Sequence, residues 1–589
     1  MVKTIDLYTK WGEYVVKTDE LPLNDYPRPQ LRRDNWQNLN GFWEYAISQS
    51  ETVPDKFDGQ IRVPFSPESL LSGVQRLVTP ADTLWYRRKL TVEQQDDKRV
   101  LLHFGAVDQI CQVWLNGRLV GEHVGGYWPF TFDITNYLQS ENELLVKVKD
   151  ASDNPIYAYG KQKLQHGQIW YTPQSGIWQT VWLEQVPSNY VENLTVTPNF
   201  DESSVTLSIE TAHAFEQANI VISKDGREVV RATAAHSEIT IELPEFDAWT
   251  PDTPHLYDVE VTLAEDRVQS YFGMRKFSIG KNAHGQTVPL LNNQPIFHNG
   301  LLDQGYWSDG LYTPPSDEAM IWDIEQVKAL GFNMLRKHIK VEPLRWYYHC
   351  DRLGMLVWQD FVSGGAPEYS RWLIQILPFI NIQLKDNKYK WFRRESLASR
   401  QQFETEMHQT VATLKNVTSL ATWVPFNEGW GQFDSTRIGD MLRDLDPTRL
   451  IDYVSGYHDQ GEGDFKSPHI YYKKYRLKPD KHERIQILSE FGGYSLPTEH
   501  HMGTDKLFGY KMYQTPAEFS AAYEKLFVEE IYPAIEQGLS GTVYTQVSDV
   551  EEEINGLFTY DRRVIKIDQA LVRRVNQEIY RRFATQQSK

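Results

Sequence analysis

Residues 330–361 read LGFNMLRKHIKVEPLRWYYHCDRLGMLVWQDF and contain two short apolar runs with a longer amphipathic stretch between them. Residues 333–338 predict a buried strand, and residues 343–354 predict a helix that starts with a proline and ends at a glycine. Residues 355–361 are apolar again and predict a second strand. A strand, a helix and a strand in succession form the repeating unit of parallel α/β folds.

The same alternation continues from about residue 285 to the last helix, which spans about residues 567–583. Upstream of the quoted stretch, Ser316 is a candidate N-cap for a helix that closes at Gly331. Eight strands alternating with helices over about 300 residues predict a (β/α)₈ TIM barrel. A doubly wound open sheet is the alternative, and the lack of a glycine-rich phosphate loop after the first strand counts against it.

The first half of the chain has a different pattern, with many short strand-like runs separated by turn signals. Asn116-Gly117 and Asp225-Gly226 lie between alternating apolar runs and predict hairpins. The sequence therefore predicts a multidomain protein. Its predicted parts are a jelly-roll sugar-binding domain, an immunoglobulin-like β-sandwich and the α/β barrel, at residues 1–187, 188–280 and 281–589.

The charge of the chain excludes several classes of partner. Its formal net charge is −18, whereas phosphate backbones demand a basic surface, so we expect no nucleic acid partner. No apolar stretch approaches the roughly 20 residues that cross a bilayer, so we expect no membrane partner either. The N-terminal residues show neither the apolar core nor the cleavage site of a signal peptide, and the protein is expected to be cytoplasmic.

Residue usage also bears on ligands. The two cysteines, Cys111 and Cys350, lie in apolar surroundings in different predicted domains and are expected to be buried free thiols. No cluster has convincing metal-ligand spacing, so neither a metal nor a cofactor is expected. Aromatic residues make up 13% of the chain, with 18 Trp and 32 Tyr. Such rings either fill sandwich cores or line a groove that stacks against sugars.

Candidate catalytic residues follow from the predicted barrel, because barrel enzymes place their chemistry at the C-terminal ends of the strands. Two strand-end carboxylates facing one cavity can cleave a glycosidic bond, and a separation of about 5–5.5 Å gives retention. The alternative is a structural strand cap. No Gly-x-Ser-x-Gly elbow or Cys-His pairing suggests another nucleophile. The strand-end candidates are Asp360, Glu428, Tyr471, Glu490 and Gln546.

Several stretches together resemble glycoside hydrolase family 2, which includes β-galactosidases, β-glucuronidases and β-mannosidases. They are PRPQLRRDNWQNLNGFWEY (27–45), GIWQTVWLEQV (176–186), residues 330–361, WVPFNEGWG (423–431), ILSEFGG (487–493) and INGLFTYDR (554–562). The resemblance covers nearly the whole chain and implies a retaining double displacement. It makes Glu428 the expected acid/base and Glu490 the expected nucleophile. A non-catalytic carbohydrate-binding protein is the competing class, and a homo-oligomer is possible.

Substrate-binding roles are expected for a wider set of residues. Asn427 is expected to hold the sugar 2-hydroxyl or the Glu490 ester. Arg336, His338 and Tyr471 are expected to donate to the nucleophile. For Arg336 an ion pair inside the barrel is equally possible, and for Asp303 the alternative to gripping hydroxyls is loop capping. Trp430 either stacks on the sugar or seals its loop. Two residues of the jelly roll, Trp170 and Tyr171, are expected to reach over the barrel mouth, and His469 is expected to pack behind the site.

The sugar is expected to be neutral. β-Glucuronidases of this family carry an Asn-x-Lys motif that binds the substrate carboxylate, and Glu553 and Asn555 stand at those positions here. A cation is therefore missing, and Glu551–Glu553 would repel a uronate. A β-galactoside or an α-L-arabinopyranoside is favoured, with a β-mannoside next and a β-glucuronide last. Gln546 stands where many relatives carry Trp. The long 362–400 loop, with Trp372 and Trp391, is expected to narrow the pocket.

Overall fold

The computed structural model describes residues 6–95, 97–365 and 382–587, together with residues 372, 376, 377 and 380. Two antiparallel β-sandwiches precede a barrel of parallel strands, in the predicted order. The predicted multidomain fold class is thus confirmed.

The first domain is a jelly-roll sandwich of two antiparallel sheets around one apolar core. In sheet order, the smaller sheet contains Trp36–Asn38, Val181–Val186, Arg99–Phe104 and Phe130–Asp133. The larger sheet contains Gly59–Val63, Gly41–Ser48, Thr83–Leu90, Asn142–Lys149, Ile110–Leu115 and Arg118–Val124. A ribbon joins Val107–Asp108 to Gly176–Ile177. Short helical segments span Lys10–Lys17, Pro29–Leu31 and Thr135–Tyr137.

The two predicted hairpin turns are present. Asn116 and Gly117 have φ values of 53° and 74°, and Asp225 and Gly226 have 51° and 73°. Positive φ at both central residues matches the right-handed twist of the flanking strands, which is why Asn-Gly and Asp-Gly are favoured there.

The second domain is an immunoglobulin-like sandwich. One sheet contains Val191–Asn199, Ser204–Thr211 and Glu238–Glu242. The other contains Arg227–Ala234, Ala218–Lys224, Tyr257–Leu263 and Asp266–Phe272. A small sheet of Phe277–Lys281, Thr287–Leu291 and Gln294–Pro295 follows. Its Phe277 and Leu291 belong to the same apolar cluster as the barrel interior, so this sheet closes the bottom of the barrel.

The third domain is a barrel whose strands are all parallel. In chain order its strand positions are His298–Asp303, Met334–Lys337, Leu356–Asp360, Leu420–Val424, Leu450–Ile451, a sixth formed by Phe465–Lys466 and His469–Ile470, Ile485–Gly492, and Leu539–Thr545. The fifth and sixth positions meet through the bond from Asp464 N to Ile451 O at 3.0 Å. We refer to these positions as the first to eighth barrel strands.

Helices surround the barrel at Asp317–Ala329, Leu344–Leu353, Leu397–Leu414, Ser435–Leu445, Pro516–Leu526, Tyr532–Ile535 and Gln569–Gln587, with a π-helical turn at Phe527–Ile531. Ser316 caps the first of them as predicted, by accepting from Ala319 N. Over the part of the chain that the structure describes, every helix is too short or too polar to cross a membrane.

The barrel interior is apolar at its lower end and polar at its mouth. Leu302, Met334, Leu356 and Ile487 pack inside the lower part. Alternation along the second strand then puts Arg336 and His338 on the same inner face as Met334, but nearer the C-terminal end. The charged groups therefore converge where barrel enzymes hold their substrates.

A segment of the jelly roll covers this mouth. We call residues 157–175 the cap segment. The backbone N–H groups of Tyr159 and Gly160 donate to Ser363 O at 3.2 and 3.1 Å, just after the third strand. On the opposite side, Thr172 N donates to Glu551 Oε1 at 2.9 Å. The active-site region is thus built from two domains.

Candidate active site

Glu428 lies in a tight loop after the fourth strand. Its φ of 53° is in the left-handed region, which a residue with a Cβ adopts only when its surroundings enforce it. Glu428 N donates to Ser455 O at 2.9 Å, and Trp430 N donates to Asn427 O at 3.0 Å. Arg394, from the described end of the 362–400 loop, also donates to Gly431 O at 2.8 Å. These bonds hold the Glu428 backbone over the barrel.

Glu490 reaches the mouth because the seventh strand has a local irregularity. Its register against the eighth strand shifts between Leu488 and Phe491, and both of these residues pack outside the barrel. Strict alternation would place one of the two residues between them outside as well. The shift lets both Ser489 and Glu490 face inward, as bulges near active sites commonly do.

The two carboxylates are close neighbours. One oxygen of Glu428, one oxygen of Glu490 and Nδ1 of His469 all lie within 4.8 Å of one another. An inverting glycosidase must fit a water molecule between its general base and the sugar, so its two carboxyl groups are about 6.5–9.5 Å apart. The observed spacing is below that range. The same three atoms also form a group that could hold a metal ion.

Glu490 is surrounded by hydrogen-bond donors. Arg336 Nη1 donates to Glu490 Oε1 at 3.1 Å, and the Tyr471 hydroxyl donates to Oε2 at 2.6 Å. Burial and the charge of Glu490 raise the pKa of Tyr471 well above its usual range, so it stays a donor. Arg336 in turn is fixed by two bonds of 3.0 Å to Asp360. These contacts fix the position of both oxygens of Glu490.

The electrostatic setting of Glu428 is dominated by its burial. Burial raises its pKa, and the charges of Lys161 and Arg336 offset only part of the rise. His469 Nδ1 lies 2.9 Å from Glu428 Oε1. Because burial lowers the pKa of His469 to about 4, this imidazole is neutral at neutral pH and adds no positive charge. A carboxyl with a raised pKa is suited to protonate a leaving group.

Asn427 presents a defined end of its amide to the pocket. Arg336 Nη2 donates to Asn427 Oδ1 at 2.8 Å. Because the guanidinium can only donate, the amide oxygen is fixed toward it and the amide nitrogen is left for the ligand.

Sequence models of three domains match most of the chain. "Glycosyl hydrolases family 2, sugar binding domain" matches residues 31–187, "Glycosyl hydrolases family 2" matches residues 189–275, and "Glycosyl hydrolases family 2, TIM barrel domain" matches residues 289–579. The chain belongs to glycoside hydrolase family 2.

Curated relatives carry two different names, β-galactosidase and β-glucuronidase. A β-galactosidase of Thermoanaerobacter pseudethanolicus is 27% identical over 47% of this chain and 39% of its own length. A β-glucuronidase of Rattus norvegicus is 26% identical over 66% of this chain and 61% of its own length. The chain thus spans less than two thirds of either relative. Among solved structures, the β-glucuronidase of Ruminococcus gnavus shares the fold, with a TM-score of 0.74, 16% identity and coverage of 95% of this chain and all (100%) of that one.

The remaining predicted residues of this family 2 site divide into those at the pocket and those behind it. His338 Nδ1 lies 2.7 Å from Asp360, which leaves Nε2 of His338 for a ligand. Asp360, one of the strand-end candidates, contacts both Arg336 and His338 and so positions those two residues, while its expected role in substrate binding stays a prediction. Gln546 is fully buried, and bonds of 2.8 and 2.6 Å join it to Gln304 and Asn555 beneath the pocket.

The structure contradicts the expected contact of Asp303 with sugar hydroxyls. Its carboxylate lies 2.6 Å from the ammonium of Lys337 and accepts from Gly305 N at 2.9 Å. Lys337 lies over the ring of Trp346 on the outer helix Leu344–Leu353, so Asp303 faces outward from the barrel wall. Loop capping, the alternative role, agrees with this geometry. The misassignment arose because strand ends alone do not reveal which face a residue occupies.

Aromatic residues form the wall between cap segment and barrel. Trp430 meets Trp170 and Tyr159 edge-on, at centroid distances of 4.9 and 5.6 Å. Trp430 is only 6% exposed, which favours the sealing role over stacking on a sugar. Trp372 and Trp391, in contrast, are 64% and 57% exposed. The expected narrowing of the pocket by the 362–400 loop stays a prediction, because residues 366–371 and most of 373–381 lie outside the described residues.

Three residues at the site had little or no weight in the sequence. His469, expected to pack behind the site, contacts Glu428 directly. Tyr171 donates to Glu553 Oε2, which confirms that this part of the jelly roll reaches the barrel. Lys161 was not identified at all, because its role depends on a contact between domains that no local pattern signals.

Proposed function

We propose that the protein is a retaining β-glycosidase that removes a terminal sugar through a covalent glycosyl-enzyme. The observation that carries this proposal is the 4.8 Å limit on the distance between oxygens of Glu428 and Glu490. Two carboxylates at that separation support double displacement and leave no space for the water of an inverting reaction.

Each carboxylate has a role in both steps. Glu490 attacks the anomeric carbon while the bond to the leaving oxygen breaks, and Glu428 gives that oxygen its proton. Glu428, now ionised, then takes a proton from water, whose oxygen attacks the anomeric carbon and releases Glu490 as a carboxylate. Asn427 donates to the sugar 2-hydroxyl, a hydrogen bond that strengthens as positive charge develops on the ring.

The substrate proposed first is a β-glucuronide. The expectation of a neutral sugar rested on the absence of a cation at Asn555 and took no account of the cap segment. Lys161 brings a positive charge to the pocket from that segment. The name β-glucuronidase, carried by the rat relative and by the Ruminococcus gnavus structure, also supports this choice.

A β-galactoside is the second candidate. Glu553 is a buried carboxylate beside the pocket. Burial raises the pKa of Glu553, and the charge of Glu490 raises it further. A carboxylate at that place favours a hydroxyl over a second anion. The Thermoanaerobacter pseudethanolicus relative carries the name β-galactosidase.

The test is hydrolysis of nitrophenyl glycosides by the wild type, Glu490→Gln and Glu428→Gln. The panel contains β-glucuronide, β-galactoside, α-L-arabinopyranoside, β-glucoside and β-mannoside. We expect Glu490→Gln to lose all activity. Glu428→Gln should still release dinitrophenol from the matching dinitrophenyl glycoside, because that group leaves without a proton, and should then stall. Glu245→Gln, an exposed site on the second domain, is the matched control. Full activity of Glu490→Gln would refute the mechanism, and wild-type activity confined to neutral sugars would refute the glucuronide assignment.

A further inference from the structure

We propose that Lys161 of the cap segment binds the carboxylate of the sugar and so replaces the missing cation of the barrel. This inference rests on the proposed glucuronide substrate. It assigns the recognition of the substrate's charge to the jelly-roll domain.

The backbone of Lys161 is fixed at the barrel mouth. Lys161 O accepts from Tyr171 N at 3.0 Å, and the preceding Gly160 is bonded to Ser363 O. Gly160 has a φ of 62°, and a Cβ there would lie 2.9 Å from Ile339 O and 3.0 Å from the Tyr312 hydroxyl. The chain can approach the ends of the second and third strands this closely only with glycine.

The side chain of Lys161 lies at the aromatic wall between the cap segment and the barrel. Its ammonium lies 5.5 Å from the ring centroid of Trp170, which packs against Trp430, two residues after Glu428. Burial raises the pKa values of Glu428 and Glu553, and the charge of Lys161 opposes both rises. The ammonium of Lys161 thus lies on the side of the barrel mouth formed by the loop after the fourth strand.

The ammonium of Lys161 contacts the Trp170 ring, and among the described residues no carboxylate lies within 4.0 Å of it. Lys163, two residues away, is held against the face of the Trp170 ring at 3.7 Å. The carboxylate of Glu553 is engaged through both oxygens, by Tyr171 and by Asn555 at 2.9 Å. An ammonium next to such a pocket is a point charge suited to an incoming anion.

Only one group distinguishes a glucuronide from a glucoside: the carboxylate at C6 in place of a hydroxymethyl group. The two nitrophenyl sugars therefore isolate the proposed contact. Loss of a charge-assisted hydrogen bond reduces binding by about 10–100-fold.

We expect Lys161→Met to raise KM for the glucuronide by about 10–100-fold and to leave KM for the glucoside within about threefold. Lys161→Arg should restore most of the lost affinity because it keeps the charge. Lys89→Met is the matched control, because Lys89 is an exposed residue on the larger sheet of the same domain. In the wild type, KM for the glucuronide should rise with salt concentration while KM for the glucoside should not.

The outcomes separate the two proposals. An unchanged glucuronide-to-glucoside selectivity in Lys161→Met, with wild-type glucuronide turnover intact, would overturn the role of Lys161 alone. A wild-type KM for the glucuronide that does not change with salt would also overturn that role, and this measurement needs no folded variant. Absence of glucuronide turnover in the wild type, with activity on a neutral sugar, would instead overturn the substrate assignment and this inference with it.

Discussion

The phenolic hydroxyl of Tyr471 donates a hydrogen bond of 2.6 Å to Oε2 of Glu490. It also lies 2.9 Å from Thr545 Oγ1, which fixes its orientation. In the proposed mechanism, Glu490 loses its charge when it forms an ester with the sugar and regains it when the ester breaks. A donor placed on the departing carboxylate stabilises that second event.

Tyr471→Phe should therefore lower kcat by about 10–100-fold, the effect of about 1.5–3 kcal/mol for a hydrogen bond to a charged group. Steady-state kinetics on the best substrate of the panel measures this. Tyr472→Phe is the matched control, because the neighbouring Tyr472 is 74% exposed. Equal rates for the two variants would contradict the proposed stabilisation.

Arg336 should contribute strongly to the stability of the barrel. It is fully buried between Asp360 and Glu490, so Arg336→Met leaves two carboxylates without their cation. The free energy of unfolding of the barrel should fall by about 3–5 kcal/mol. Arg267→Met removes a half-exposed partner of Glu260 and should cost less than about 1 kcal/mol. Calorimetric unfolding of both variants measures these two changes. Equally small losses of stability in the two variants would argue against a buried ionic network around Arg336.

The alkaline limb of the pH profile should follow Glu428. Only its protonated form can give a proton to the leaving oxygen, so the rate falls as pH rises through its pKa. Burial raises that pKa, and the charge of Lys161 lowers it. Lys161→Met should therefore move the alkaline limb to higher pH. The profile is best measured on a neutral glucoside, where no substrate charge interferes, and a limb that stays in place or moves down would contradict the assignment.

Removal of the charge on Glu553 should improve glucuronide binding. Glu553→Gln eliminates the repulsion between this carboxylate and the substrate, so KM for the glucuronide should fall by about 3–10-fold. Glu552→Gln is the neighbouring control, since Glu552 pairs with Lys506 and accepts from Gln168 N. A higher KM for the glucuronide than for the glucoside in Glu553→Gln would point to a neutral sugar instead.

Much of the architecture follows from local patterns. The alternation of strands and helices after residue 285 predicted the barrel, and the strand ends then gave Glu428 and Glu490. Their position at the mouth could be predicted because hydrophobic patterning shows where along the chain a strand ends.

Two features were harder to predict: whether a strand residue faces into or out of the barrel, and which distant segments are in contact. Glu490 faces inward only because of the register shift after Leu488, whereas Asp303 ends an equally good strand and faces outward. Lys161 belongs to a segment that resembles an ordinary loop. Its place at the site depends on how the jelly roll packs on the loop after the third barrel strand. The bond from Tyr159 OH to Gly365 O, across a sequence separation of 206, shows this packing.

The central claim is that Glu490 carries the sugar between two displacements. A dinitrophenyl 2-deoxy-2-fluoro derivative of the best substrate tests it most directly, because the electron-withdrawing fluorine slows release of the sugar from the enzyme while the good leaving group still allows its transfer. Mass spectrometry of the digested protein should find one sugar on the peptide that contains Glu490. Turnover to the inverted anomer with no labelled peptide, or a label on another residue, would contradict the account.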